Sequence, residues 1–173
     1  MHKRQLPPIE RLSKETQHLF NVLNEEKDLS VILVASSFLD ACLGSILKRK
    51  LKRSSISEKL LDSSGVLSAR ADLSYTLNLI SKPLYQDLIK IAEIRNEIAH
   101  HHLALSFETE SIMSKCSQLS YVSSLKNGNT GDSLDMEQWM IEPRNQFVMT
   151  TVMISQRLLL IGLGVRNGEN EMA

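Results

Sequence analysis

Ser81-Lys82-Pro83-Leu84-Tyr85-Gln86-Asp87-Leu88-Ile89-Lys90-Ile91-Ala92-Glu93-Ile94-Arg95-Asn96-Glu97-Ile98-Ala99-His100 is the stretch on which the fold turns. Leu84, Leu88, Ile91, Ile94 and Ile98 recur at three- and four-residue steps, which aligns them along one side of an α-helix. Ser81 stands at a capping position, and Pro83 falls in the first turn, where a missing N–H costs nothing. The periodicity predicts a long central helix that stops near His100-His101-His102.

The same pattern extends in both directions. Ile9, Leu12, Thr16, Leu19, Phe20 and Leu23 follow Pro7-Pro8 at helical spacing. Asp28 or Ser30 can cap a second helix, whose wide stripe is Val31, Val34, Ala35, Phe38, Leu39, Cys42, Leu43, Ile46 and Leu47. A short helical piece around Glu58–Leu61 follows the serine-rich connection 54–57. Ser68 can cap a helix bearing Leu73, Leu77 and Ile80. A further helix is expected across Thr109–Leu119. Glu142-Pro143 opens the last one, with Phe147, Val148, Val152, Ile154 and Leu158–Ile161 as its apolar content and Gly162 and Gly164 at its end. No period-two alternation survives, so the expected class is all-α.

Composition agrees. Only 5% of the 173 residues are aromatic, a bias that suits helix packing better than a β-sandwich. Twenty basic residues balance twenty acidic ones, so any binding to nucleic acid or membrane must come from a local patch. One such patch is Lys48-Arg49-Lys50-Leu51-Lys52-Arg53. Cations in a last helical turn complement the helix dipole, which is the plain reading; a phosphate-binding role for Lys48, Arg49, Lys50, Lys52 and Arg53 is the other. Neither Leu29–Leu47, with Asp40, nor Val148–Val165, with Arg157, has the uncharged run of a spanning helix. With no signal-peptide pattern, the expectation is a cytoplasmic protein without membrane contact. Cys42 and Cys116 read as buried small hydrophobes rather than a disulfide.

The only cluster with chemistry in it is Arg95, Asn96 and His100. An Arg can stabilise charge on a phosphate, a near-neutral His can move a proton, and Asn can orient either. That set suits metal-independent phosphodiester cleavage. Positions 95 and 100 lie about 140° apart on a helix, so they meet only if the helix distorts or a partner chain completes the site. The structural alternative is that Arg95 pairs with Glu93, Glu97 or a neighbouring helix while the histidines simply end the helix. Consecutive histidines point about 100° apart and chelate one ion poorly, so neither metal nor cofactor is expected. Gly162-Leu163-Gly164 lacks the strand–turn–helix setting of a dinucleotide loop. No helix–turn–helix with a basic recognition helix is evident.

The order of these residues looks familiar. Leu60-Leu61-Asp62, Gly65-Val66-Leu67-Ser68-Ala69-Arg70, Leu73-x-Tyr75-x-Leu77-x-Leu79-Ile80 and Tyr85-x-Asp87-Leu88 lead into Ile94-Arg95-Asn96-Glu97-Ile98-Ala99-His100. Ser106-Phe107, Cys116-x-x-Leu119 and Arg144-x-x-Phe147 follow. Together they resemble the mannitol operon repressor family and related HEPN-like helical domains, over about residues 30–160.

The resemblance implies a single-domain HEPN-like bundle of about six or seven helices, commonly a homodimer. In HEPN ribonucleases the Arg-Asn-x-x-x-His segment cleaves RNA, which would assign Arg95 to the phosphate, His100 to proton transfer and Asn96 to positioning. The regulators of the family carry no recognised DNA-binding motif. The expected organisation is an N-terminal helix over 1–27, a helical domain over 28–161 with a flexible loop near 126–135, and a polar tail over 162–173. The expected function is regulation through protein partners or RNA. The alternatives are a metal-independent endoribonuclease of toxin or defence type, or an inactive HEPN scaffold. The resemblance is compatible with an enzyme and with a regulator that has no activity of its own.

Overall fold

The structure is a computed structural model that describes residues 7–63, 66–100, 105–125 and 141–164, with backbone only for Ser63, His100, Ser124 and Leu125. Among the described residues every regular element is a helix: α1 (Ile9–Glu25), α2 (Asp28–Lys50), α3 (Ser55–Ser63), α4 (Leu67–Thr76), α5 (Lys82–His100), α6 (Glu110–Ser117), α7 (Tyr121–Leu125) and α8 (Pro143–Leu163). The segment expected to form a loop, 126–135, lies outside the described residues, as does the tail beyond Gly164.

The central helix is as its spacing predicts. Leu84, Leu88, Ile91, Ile94 and Ile98 are all buried, while Arg95 and Asn96 face outward. α2 is the hub, in contact with α1, α3, α4, α5 and α8. It buries Ile32, Ser36, Gly44 and Ser45 in addition to most of the expected stripe. Val34 is exposed and Phe38 only half-buried. α1 packs on α2 and α8 through Ile9, Leu12, Leu19 and Leu23, so it shares their core; Phe20 falls off that face.

The expectation that neither stretch could span is corrected: by length and composition alone, α2 and α8 are each long and apolar enough to cross a bilayer. More than half of each apolar window is buried inside the bundle, largely by the two helices against each other and α1.

Four local expectations are corrected. Ser68 is not the cap of α4; Val66 takes that place, and the buried face is Leu67, Arg70, Ala71 and Ser74 rather than Leu73 and Leu77. The helix ends early because Asn78 adopts a left-handed conformation, φ 55°, which turns Ile80 back into the core while Leu77 stays exposed. Neither Asp28 nor Ser30 caps α2, since Lys27 is at the cap without a side-chain bond. The Asp28 carboxylate instead accepts the Arg144 guanidinium and the Phe107 N–H at 3.0 Å. Arg144 also donates to the carbonyls of Leu23 and Glu26, so one side chain ties the α1–α2 turn to the start of α8.

Gly162 does not stop the last helix; it is buried inside it, and Gly164, at φ 83°, forms the left-handed cap. A Cβ on Gly162 would lie 2.8 Å from both Cγ1 and Cδ1 of the buried Ile9, so the missing side chain is what lets α1 and α8 approach. Gly162→Val is expected to cost about 2–3 kcal/mol by overpacking. Urea denaturation checks this, and combining the change with Ile9→Ala should recover part of the loss.

Both cysteines are free and buried. Burial pushes each thiol up to about 12, with the charge of Glu15 adding to the effect at Cys42. Neither should react with Ellman's reagent in the native protein at neutral pH, and both should react once denaturant unfolds it.

Candidate functional site

α5 packs against α2 and α4. There Arg95 Nη1 donates to Asn96 Oδ1 at 3.0 Å, so two of the three residues singled out from sequence are joined. With Ser36, Ser37 and Asp40 of α2 and Val66, Leu67 and Ser68 they line a pocket of about 140 Å³. That space is below the usual range for an organic ligand, about 300–1,000 Å³.

Its back is held by a pair that the sequence reading missed. Arg70 Nη1 donates to Asp40 Oδ2 at 2.7 Å and to the Asp40 carbonyl at 3.0 Å. The only signal available was an Arg on α4 at the spacing of a buried face, next to an Asp inside the apolar stripe of α2. One residue along α5, Glu97 accepts Ser111 Oγ and Lys115 Nζ, which fastens α6 to the end of α5. Arg95 therefore pairs with its neighbour Asn96, while Lys115 is the cation bonded to Glu97, and Glu93 bonds Lys90 at 2.9 Å. α5 remains helical through His100, whose side chain lies outside the described residues, as do His101 and His102.

The basic run divides. Lys48, Arg49, Lys52 and Arg53 line a second, larger cleft of about 860 Å³ beside the start of α1, and Lys50 does not. Arg49 Nη1 meets Glu10 Oε1 at 3.2 Å across it. Glu10 and Pro7-Pro8 as its opposite wall were not legible from the run itself. Among the described residues no group of three His, Cys, Asp or Glu side chains is placed to hold a metal ion.

Fold and site together define a class: an all-helical bundle built on a buried central helix pair, with a polar edge on α5 and a cationic cleft at the end of α2. The chain belongs to the mannitol repressor family, described as MtlR, which its residues 16–163 match. Among solved structures it shares its fold with a chain in the X-ray structure of the MtlR–HPr complex from Escherichia coli. That similarity has a TM-score of 0.62 and 20% identity, over 84% of this chain and 98% of the other. No curated protein matches the chain.

Proposed function

We propose that this chain is a regulatory protein of the mannitol-repressor type that acts in the cytoplasm through a protein partner, with HPr as the first partner to test. The observation that carries this reading is family membership over residues 16–163, joined to a fold shared with the chain solved in the MtlR–HPr complex. Titrating the chain with HPr from the same organism, by calorimetry, is expected to give saturable binding. A flat titration over the micromolar range, where transient signalling complexes bind, overturns the reading. The reading carries a homodimer with it, which light scattering of the purified chain checks.

A second reading has an observation of its own. Arg95 and Asn96 are exposed, adjacent and bonded at the mouth of a pocket, a placement consistent with a HEPN-like site that holds phosphate and is completed by His100. Its test is cleavage of single-stranded RNA in the presence of a chelator. Activity in the wild type that both Arg95→Ala and His100→Ala abolish, with folding intact, supports a nuclease. No cleavage by the wild type removes it.

A further inference from the structure

We propose that the cleft between the start of α1 and the α2–α3 connection is a binding site for a small organic phosphate, a function separate from the partner contact proposed above. A basic run that merely terminates a helix spreads around the axis. Here Lys48 and Arg49 point from the last turn of α2 into the cleft, and Lys50, about 200° on from Lys48, does not line it. Leu51 then leaves the helix in an extended conformation, φ −76° and ψ 145°. That break returns Lys52 and Arg53 to the same cleft instead of carrying them on around the helix.

The walls are tied to each other. Ser45 Oγ donates to the Pro7 carbonyl at 2.6 Å, and Arg49 bonds Glu10 at 3.2 Å, so α1 is fixed across the end of α2. The connection into α3 is also held: Ser57 Oγ donates to the Lys52 carbonyl, and Ser54 Oγ accepts the Ser57 N–H at 3.2 Å. The cations are therefore carried on a braced backbone, which lowers the ordering cost of binding.

Charge and shape name the ligand. Four cations line the cleft against the carboxylates of Glu10 and Glu58, an excess of two positive charges in a chain whose formal net charge is zero. A phosphate monoester carries close to two negative charges at neutral pH, and Arg and Lys are the side chains that bind such groups. Pro7, Pro8, Leu51 and Leu61 supply an uncharged wall for the body of the molecule. About 860 Å³ falls within the range of small-molecule sites. A polynucleotide would need cations strung along a track, whereas these come from a single six-residue segment.

The test is calorimetric titration of the full chain with ADP, ribose 5-phosphate, inorganic phosphate, ribose and a single-stranded oligoribonucleotide. Saturable binding of ADP or ribose 5-phosphate, one per chain, is expected, with ribose silent and inorganic phosphate weaker than the esters. Lys52→Gln and Arg53→Gln should each weaken it about tenfold, the loss of one charge-assisted contact, while Lys50→Gln leaves it unchanged. These side chains are exposed, so the variants keep the fold. The proposal is overturned if neither ester saturates, or if Lys50→Gln weakens binding as much as Lys52→Gln. It is equally overturned if inorganic phosphate binds as tightly as the esters, or if only the oligoribonucleotide binds.

Discussion

Arg70→Ala is expected to lower folding stability by about 3–5 kcal/mol, the usual result of removing one partner from a buried ion pair. The side chains of Arg70 and Asp40 are 9% and 20% exposed, and their 2.7 Å contact joins α4 to the hub helix α2. Alanine takes away the guanidinium and leaves a carboxylate held largely out of water, in a place where solvent recovers little of the lost interaction. The pair is not the most stable solution available, however. Arg70 Nε is buried without a hydrogen-bond partner, so part of its desolvation goes uncompensated. The double change Arg70→Met with Asp40→Leu should therefore lie within about 1 kcal/mol of wild type, far above either single variant. Guanidinium denaturation of the three proteins decides it. Equal losses in Arg70→Ala and the double variant would mean that packing, not charge, holds this contact. Because Asp40 also lines the pocket beside Arg95, the single variant should disturb that pocket as well.

Asp87→Ala is expected to cost about 2–4 kcal/mol, because it leaves buried backbone donors without an acceptor. Asp87 lies on α5 and is 2% exposed. Its carboxylate accepts the Ser120 N–H at 3.0 Å and the Tyr121 N–H at 2.8 Å, which fixes the first turn of α7 against the central helix. Burial raises its pKa above the ordinary 3.8, and the bonds from Ser120 and Tyr121 offset only part of that. Between the unfolded and the folded value the native state holds more protons, so the stability owed to this group is full below 3.8 and declines as pH rises through the folded value. Asp87→Asn, which cannot titrate, should therefore be more costly relative to wild type in acid than at neutral pH. Denaturation of both proteins across that range checks the slope; a penalty that grows toward neutral pH contradicts the raised value.

How much of this was legible in the chain can be followed residue by residue. The α5 stripe was, because five apolar residues at helical spacing have one stable arrangement, buried on one side. Arg95 and Asn96 were legible by the chemistry of their side chains; their exposure beside the stripe is what the structure adds. The face of α4 was not: Leu73 and Leu77 read as the apolar positions, yet a buried Arg and Ser occupy the inward side. A charged residue becomes an acceptable core position only when its counter-ion arrives from another helix, and Asp40 is thirty residues away in sequence. Asp28 shows the same limit: it reads as a local cap, and it serves a distant guanidinium and backbone N–H. Asp87 carries no local signal at all, and its partners are the backbone N–H groups of Ser120 and Tyr121.

The sequence by itself determined the long helices, the inward face of α5 and the density of cations after Lys48, since these depend on spacing along one chain and on local backbone preference. Only the tertiary structure decided which polar groups meet: Arg70 with Asp40, Arg144 with Asp28, and Arg49 with Glu10 at the cleft that Lys48, Lys52 and Arg53 also line. The physical reason is range. Burial periodicity repeats within a turn or two of helix, whereas a charge finds its partner through the packing of elements that the sequence holds far apart.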